Sequence, residues 1–372
     1  MTRIETRVMA LITVIVTAIA VSGILIIYLM QGTPMLARTR VPDKSGSLIA
    51  YIRQQQKNAS AYDRLHELEL HIPTGHKASD FTIEAKDEYK GYIIHIPGIN
   101  ASYFADYPVS GNGRNISDMT YNVTHKGGSI NITTDQPFFI KKSSDGKRVF
   151  FDFTAPRDYF DKIVVIDAGH GGRDKGAECE GVYEKDITLA IAKKIKAITG
   201  TDAMPELTEY GDELSAMQID GVGRVGFFYT RLKDKKMFLK ERGAFAKTFD
   251  PDLFLSVHIN STSTGRISYI NGASVLYRAG DRTGESKKFA DLILKNLLKD
   301  LKCTSKGTIA GDEMYLIRTS AEPCALAEIG FLTNPDEHKK LISDSYQQKA
   351  AQSLVDSIEQ YLKRGQESED RD

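Results

Sequence analysis

The sequence predicts an α/β domain with helices on both faces of a mostly parallel sheet, preceded by a small all-β domain and an N-terminal transmembrane helix. Strands alternate with helices after residue 162, short strands follow one another between residues 65 and 156, and a long apolar run lies near the N-terminus. Alternating strands and helices are typical of parallel sheets, whereas short strands separated by turns are typical of all-β modules.

The apolar run extends from Met9 to Met30 without a charged residue. As an α-helix at ~1.5 Å per residue it would reach ~33 Å, which is enough to cross a ~30 Å hydrocarbon core. We therefore predict that residues 1–30 form a cytoplasmic tip and a transmembrane anchor, with a cleaved signal peptide as the alternative. This predicts a single-pass protein of the cell membrane whose bulk lies on the extracytoplasmic side.

The remaining chain divides into four predicted parts. Residues 31–64 contain Gly, Pro and Ser and predict a linker, with a short helix as an option. Residues 65–156 predict a β-rich, sandwich-like domain, residues 162–363 the α/β domain, and residues 364–372 a disordered tail. The strands expected in the β-rich domain lie at 68–72, 81–85, 92–96, 129–132 and 149–153.

In the α/β domain, patterns of apolar residues predict the individual elements. We expect strands at 162–167, 226–230, 253–258, 273–278, 314–318 and 324–329. We expect helices at 184–199, 238–248, 284–301 and 336–362. Residues 201–224 are expected to form a long surface excursion, with a lid or regulatory insert as the alternative.

Composition narrows the function classes. The chain has 49 basic and 49 acidic residues, so it lacks the positive charge typical of nucleic-acid-binding proteins. Its three cysteines, Cys179, Cys303 and Cys324, cannot form a disulfide framework; buried free thiols are favoured over a single bridge between Cys303 and Cys324. Because no Cys-x-x-Cys pair is present, a metal would have to be held by histidines and carboxylates.

Four polar residues of the α/β domain lie where a ligand site is expected. His170, His258 and Glu328 lie at or just past the ends of predicted strands, and Glu184 opens a helix. In open α/β sheets, ligands bind beyond the carboxyl ends of the strands. Two imidazoles and one carboxylate match the ligands of a catalytic zinc, and a second carboxylate could transfer the proton during amide hydrolysis.

Other interpretations of these residues stay open from the pattern alone. A single histidine after a strand is usually structural, and the glycine-rich loop at 169–172 could form a tight turn or bind phosphate. Neither nucleotide-binding glycine motif is matched. Glu184 could favour the helix dipole. Glu328 lies between Ala327 and Ile329, where a carboxylate costs free energy unless it is paired or bound to a metal.

These segments resemble the zinc-dependent N-acetylmuramoyl-L-alanine amidases, the family often called amidase 3. The family motif Asp-Pro-Gly-His-Gly-Gly is matched, except for one alanine, by residues 167–172, and Glu-x-Gly-Phe-Leu-x-Asn-Pro by residues 328–335. The resemblance covers roughly 162–362, and the β-rich region is more faintly similar to the N-terminal targeting modules of some such amidases. The further matches, in chain order, are Gly176-Ala177, Glu184-Lys185, Thr230-Arg231, Leu239 with Arg242, and Asp252 to His258.

The resemblance implies Zn²⁺ as the cofactor, with His170, Glu184 and His258 as its ligands and Glu328 as the catalytic base. The implied reaction is hydrolysis of the amide between N-acetylmuramic acid and L-alanine of peptidoglycan by a zinc-activated water, for cell-wall remodelling or cell separation. The implied partner is peptidoglycan. The N-terminal apolar run adds the membrane as a predicted partner, the charge balance argues against nucleic acid, and a protein activator is an open option. The residues expected to contact substrate are Asn260, Arg318 and Arg242.

Two other functions are alternatives to an active amidase. A zinc peptidase acting on free peptides is disfavoured because the sequence has no His-Glu-x-x-His motif. A catalytically silent wall-binding or division-scaffold protein with the same fold is the main alternative. Silent relatives are expected to lose a ligand or the base, whereas all four positions are occupied in this sequence.

Overall fold

A computed structural model describes most of the chain after residue 65. The predicted anchor at 1–30 and linker at 31–64 lie outside the described residues. Within the described part, no helix combines the length and apolar character needed to cross a membrane. The described residues are 66–86, 90–124, 127–202, 213–321 and 323–369.

Contacts divide the chain into two compact units. Among the described residues, the first unit comprises those up to Ile83, within Tyr92–Thr133 and within Ser143–Phe150. The second comprises those within Glu84–Gly91 and Thr134–Lys142 and those from Phe151 onward. All three cysteines are free thiols, so the bridge between Cys303 and Cys324 is absent.

The described residues between 66 and 154 are rich in strands, as predicted. The strands are β1 Leu68–His71, β2 Thr82–Lys86, β3 Gly91–Pro97, β4 Asp118–Thr124, β5 Gly127–Thr133, β6 Phe139–Ser144 and β7 Arg148–Thr154, with a 3₁₀ turn at Ala78–Asp80 and a short helix α1 at Tyr103–Asp106. They form a three-stranded sheet in the order β1-β7-β6 and a four-stranded sheet in the order β2-β3-β5-β4. Their sandwich arrangement stays a prediction.

The following region alternates strands and helices. Its strands are β8 Lys162–Ala168, β9 Glu178–Cys179, β10 Val182–Tyr183, β11 Leu214–Ile219, β12 Gly223–Tyr229, β13 Leu253–Asn260, β14 Ala273–Tyr277, β15 Ser305–Ala310 and β16 Cys324–Phe331. Its helices are α2 Pro156–Tyr159, α3 Glu184–Thr199, α4 Leu239–Thr248, α5 Glu285–Leu301, α6 Tyr315–Thr319, α7 Pro335–Leu341 and α8 Asp344–Glu369.

Seven of these strands form one mixed sheet in the order β11-β12-β8-β13-β16-β14-β15. The central strands β12, β8, β13 and β16 are parallel neighbours. β11 is antiparallel to β12, and β14 is antiparallel to β16 but parallel to β15. The carboxyl ends of the parallel strands β8, β13 and β16 therefore meet at one edge, which is where the predicted site residues lie.

Successive side chains of β8 serve opposite faces of the sheet. Val164 and Ile166 join one hydrophobic cluster, and Ile163 and Val165 join another. All four are fully buried, as expected for a central strand with both faces covered. Residues of α3, α5 and α8 complete the first cluster, and residues of α4 and α6 complete the second. The prediction of helices on both faces is thus confirmed.

Two sequence predictions in this region are wrong. The strand expected at 314–318 is the helix α6, because a short apolar run such as that around Leu316 fits either element and the neighbouring sheet position is filled by β15. The surface excursion expected at 201–224 contains β11 and the start of β12, joined by a tight turn at Asp220-Gly221. This dipeptide is a strong hairpin signal. Residues 203–212 lie outside the described residues.

The end of the chain also differs from the prediction. Helix α8 continues to Glu369, across most of the segment expected to be a disordered tail from residue 364. Lys, Arg, Gln and Glu in this stretch favour helix, and a single glycine costs only ~1 kcal/mol in a helix. The helix expected at 336–362 is divided into α7 and α8.

Candidate active site

The loop after β8 carries His170 towards His258 of β13. His170 adopts a positive φ of 58°, which turns the chain sharply at the end of the strand. The two imidazole rings lie edge to face, with centroids 5.0 Å apart. A Cβ atom at Gly169 would lie 2.4 Å from Cε1 of His258. Glycine at this position therefore allows the loop to approach the second histidine.

Glu184, the first residue of α3, lies between the two imidazoles. Its Oε2 is 3.2 Å from Nε2 of His170, and its Oε1 is 2.8 Å from Nδ1 of His258. The carboxylate also accepts hydrogen bonds from the backbone N–H groups of Ala177 (2.8 Å) and Ile259 (3.0 Å). These four interactions fix a buried carboxylate at the start of the helix.

Asp174 supports His170 from the other side of its ring. Its Oδ1 is 2.8 Å from Nδ1 of His170 and accepts a hydrogen bond from the N–H of Gly176 at 3.3 Å. A carboxylate in this position orients the imidazole and makes its other nitrogen a better metal ligand. Nothing in the sequence pattern singles out Asp174, because a spacing of four residues from His170 within a loop gives no periodic signal.

The donor atoms of His170, Glu184 and His258 can converge on one point. One ligand atom from each lies within 4.8 Å of the other two. Burial would raise the pKa of Glu184, but hydrogen bonds to both imidazoles hold it below its usual range. Burial opposes protonation of His170, yet Glu184 and Asp174 raise its pKa to about 9. The three side chains thus favour a positive charge between them, and this donor set fits a zinc ion.

Glu328 of β16 lies beside this cluster but is left unpaired. In the sheet register it is the direct neighbour of His258. Its Oε2 is buried and has no hydrogen-bond partner within the part of the chain that the structure describes. Burial raises the pKa of Glu328 to about 7, with the charge of Glu184 adding to the shift and His258 opposing it. A carboxyl group with this pKa is suited to proton transfer near neutral pH.

A second buried carboxylate, Asp167 of β8, is fully paired. It accepts hydrogen bonds from Nη1 of Arg242 (2.5 Å) and from the hydroxyl groups of Ser256 (2.6 Å) and Thr230 (2.7 Å). Arg242 also donates to the backbone carbonyls of Ala168 at 2.6 Å and of His170. This network ties the end of β8 and the His170 loop to α4.

Arg231 gives the same loop a second attachment. It is fully buried and donates to the backbone carbonyls of Ala168 (2.9 Å), Gly169 (2.7 Å) and Lys185 (2.9 Å). Because Lys185 follows Glu184 in α3, this arginine fixes the loop of His170 relative to the helix that carries Glu184. Thr230-Arg231 resembles a family motif, but the sequence alone indicates no role for Arg231.

The three predicted substrate contacts are placed differently. Arg242 lines the cleft in front of the histidines, but its guanidinium group already donates to the protein as described. Asn260 accepts a hydrogen bond from the N–H of Ser261, and Arg318 donates to the carbonyl of Asp312; neither lines the cleft. The cleft has a volume of about 190 Å³ and is lined by His170, Asp174, Lys236, Met237, Phe238, Leu239, Arg242, His258 and Leu316. Substrate contacts by the three residues stay predictions.

Comparisons with known proteins identify relatives of this region. The chain is 34% identical over 200 residues to the uncharacterized protein YqiI of Bacillus subtilis (strain 168), covering 54% of this chain and 84% of that protein. It is 30% identical over 202 residues to the germination-specific N-acetylmuramoyl-L-alanine amidase of the same organism, covering 54% and 80%. A crystal structure of an N-acetylmuramoyl-L-alanine amidase from Clostridium difficile 630 is 30% identical, covering 54% and 96%, with a TM-score of 0.46.

The family itself is matched across the α/β region. Residues 164–360, slightly more than half of the 372-residue chain, match the family described as N-acetylmuramoyl-L-alanine amidase. This range includes β8, β13 and β16 with His170, Glu184, His258 and Glu328. The chain therefore belongs to the N-acetylmuramoyl-L-alanine amidase family.

Proposed function

We propose that this chain hydrolyses the amide between N-acetylmuramic acid and L-alanine of peptidoglycan with a zinc ion held by His170, Glu184 and His258. Cleavage of this amide is the activity of the family to which the chain belongs. The assignment of residues rests on one observation: two imidazoles and a carboxylate converge beside a buried carboxyl oxygen that has no partner among the described residues.

When bound, zinc acidifies a water molecule and polarises a carbonyl group. We assign the proton transfer to Glu328, which accepts a proton from the attacking water and donates it to the leaving amine of L-alanine. A pKa near 7 lets the same carboxyl group perform both steps at neutral pH. Asp174 orients His170, and Arg231 and Arg242 keep its loop in place. His170, Glu184, His258 and Glu328 occupy the four positions that a silent relative would be expected to lose, which disfavours the catalytically silent alternative.

The location of this activity is a separate proposal. The apolar run from Met9 to Met30 supports a membrane anchor at residues 1–30, with the catalytic unit on the extracytoplasmic side, where peptidoglycan lies. Residues 65–156 would then form an accessory domain between the anchor and the catalytic domain at 162–363. A protein activator is an additional option on this side of the membrane.

The test combines metal content with product analysis. Purified protein is expected to contain one zinc ion, and mass spectrometry of digested wall fragments should show free N-acetylmuramoyl carboxyl groups and new L-alanine N-termini. Glu328→Gln should keep the zinc but lose about 10²–10⁴-fold in rate, the usual contribution of a general base. Glu313→Gln, an exposed carboxylate, serves as the control. A metal-free active protein, or full activity of Glu328→Gln, would refute the proposal.

A further inference from the structure

One wall of the cleft is formed by the segment between β12 and α4. Lys236, Met237 and Phe238 of this segment line the same cleft as His170 and His258. None of the three takes part in the proposed chemistry, although all line the cleft that contains the two histidines. Their arrangement therefore bears on which substrates the cleft accepts.

The backbone of this segment is held against the His170 loop. Asp234 accepts a hydrogen bond from the N–H of Gly172 at 2.7 Å. A Cβ atom at Gly172 would lie 2.7 Å from the backbone nitrogen of Lys236, so the two stretches are in close contact. Phe238 caps the start of α4 by donating its N–H to Glu241 at 2.7 Å. Lys236 is thus fixed at both ends of its short segment, next to the loop that carries the histidine.

Lys236 carries a positive charge that the protein does not neutralise. Its ammonium group lies 4.6 Å from the centre of the Phe238 ring, a cation–π contact that positions the charge without pairing it. Within the described ranges, no carboxylate lies at ion-pair distance from this group. Two nearby lysines differ: Lys185 pairs with Asp234 at 2.6 Å, and Lys235 pairs with Glu213 at 2.7 Å.

The other strongly basic side chain of the cleft, Arg242, is already paired within the protein. The charge of Arg242 is matched by the buried carboxylate of Asp167 at 2.5 Å. Lys236 is therefore the cation that remains for an anionic group of the substrate. Its exposure to solvent leaves the ammonium group accessible from the cleft.

The chemistry of the substrate indicates which anion this is. The carboxyl group of N-acetylmuramic acid is consumed in the scissile amide, so a carboxylate near that bond must belong to the peptide. Lys236 lines the same small cleft, about 190 Å³, as His170 and His258. A carboxylate that reaches Lys236 while the amide lies at the histidines therefore belongs to a peptide residue close to L-alanine.

We propose that Lys236 binds a carboxylate on the peptide residue that follows L-alanine, and that it makes this amidase prefer an acidic over an amidated peptide. Phe238 positions the lysine for this contact. The inference rests on the proposed function, because it takes the scissile amide to lie at His170 and His258. It adds a determinant of specificity on a residue outside the metal ligands and the base.

The test uses N-acetylmuramoyl-L-alanyl-glutamate and the same compound with both carboxylates converted into carboxamides. The wild-type protein is expected to cleave the acidic compound with a three- to fivefold higher kcat/KM, the scale of an exposed ion pair, and the preference should shrink with added salt. Lys236→Met should lose this preference, and Lys236→Arg should retain it. Lys233→Met, an exposed neighbour that does not line the cleft, is the matched control and should retain it as well.

Binding separates a failure of this inference from a failure of the proposed function. Both compounds are titrated by calorimetry into Glu328→Gln protein with Lys236 or with Lys236→Met. If no wild-type preparation cleaves either compound, the proposed function fails, while the two affinities still decide the role of Lys236. Equal affinities for the acidic and amidated compounds, or an unchanged preference in Lys236→Met, would overturn the inference.

Discussion

Asp167 and Glu328 are buried carboxylates on β8 and β16, which flank β13 on its two sides. Asp167 accepts three hydrogen bonds from side chains, one of them from Arg242. Glu328 has an oxygen atom without a partner in the described structure. The pKa of Asp167 is lowered despite its burial, since Arg242 and two hydroxyl groups stabilise the charge, whereas burial raises the pKa of Glu328 to about 7. The fold therefore stabilises one charge as a support and leaves the other available for proton transfer.

The largest effect on stability is expected from removing the charge of Asp167, the paired carboxylate. Asp167→Asn leaves the guanidinium group of Arg242 buried without a counter-charge, and we expect a loss of about 3–5 kcal/mol in the free energy of unfolding. The matched control is Asp291→Asn, which removes a half-exposed pair with Lys287 and should cost less than about 1 kcal/mol. Urea unfolding of chelated proteins at pH 7 measures both changes. Equal losses in the two variants would show that Asp167 is not a support.

How much of this arrangement the sequence could predict depends on the kind of feature. His170, His258 and Glu328 were predictable because strand ends in an open α/β sheet meet at one edge, and Glu184 because it opens the next helix. In the structure, one ligand atom from each of His170, Glu184 and His258 lies within 4.8 Å of the other two, at this edge of the sheet. These positions follow from the sheet topology, which the alternation of strands and helices along the sequence predicts.

The supporting contacts could not be predicted in the same way. Asp174 reaches His170 because the loop takes a positive φ at residue 170, and no sequence periodicity reports a single backbone angle. Arg242 was predicted to contact substrate, but its bonds to carbonyl groups depend on side-chain directions inside the fold. The short helix α6 differs from the predicted strand because a short apolar run, of which only Leu316 and Ile317 are buried, fits both elements.

Removing the charge of Glu328, the unpaired carboxylate, is expected to raise the free energy of unfolding instead of lowering it. In the chelated protein, the carboxyl group of Glu328 titrates near pH 7 when folded and near 4.5 when unfolded. Between these values the folded state holds the additional proton, so stability falls as pH rises. Glu328→Gln removes this dependence and should be more stable than wild type by roughly 3 kcal/mol at pH 8, since the shift from 4.5 to about 7 is worth ~1.4 kcal/mol per pKa unit, with little difference at pH 4.5.

Glu337 is the control for that variant because it is buried but fully paired. Its carboxylate accepts hydrogen bonds from the backbone N–H groups of Gly272 (2.9 Å) and Phe331 (2.7 Å). Burial raises the pKa of Glu337 as well, although both backbone hydrogen bonds oppose the shift. Glu337→Gln offers one acceptor oxygen in place of two, so the lost hydrogen bond, worth about 1–3 kcal/mol, offsets the gain from removing the charge. It should therefore be stabilised less at pH 8 than Glu328→Gln, and thermal unfolding of the chelated variants compares the two changes. A destabilised Glu328→Gln at pH 8 would mean that Glu328 is paired in solution.

The smallest effect is expected at Asp174. This carboxylate is half exposed, unlike Asp167 and Glu328, but it is hydrogen-bonded to the proposed metal ligand His170. Asp174→Asn keeps an acceptor for Nδ1 of His170 but removes its negative charge. We expect zinc affinity to fall about 10–100-fold, the usual effect of changing such a partner, as measured by competition with a chelator. Glu178→Gln, which alters an exposed pair with Lys175, should leave the affinity unchanged.

The pH dependence of that loss tests its cause. The charge of Asp174 favours a proton on His170 as well as a cation, and it contributes to raising the pKa of His170 to about 9. In Asp174→Asn, His170 therefore binds zinc less strongly, but it also binds a proton less strongly. Below pH 9, where protons compete with zinc for His170, these two changes partly cancel. The affinity difference between wild type and Asp174→Asn should be smaller at pH 6.5 than at pH 9. A difference that does not change with pH would mean that Asp174 orients the ring without altering its basicity.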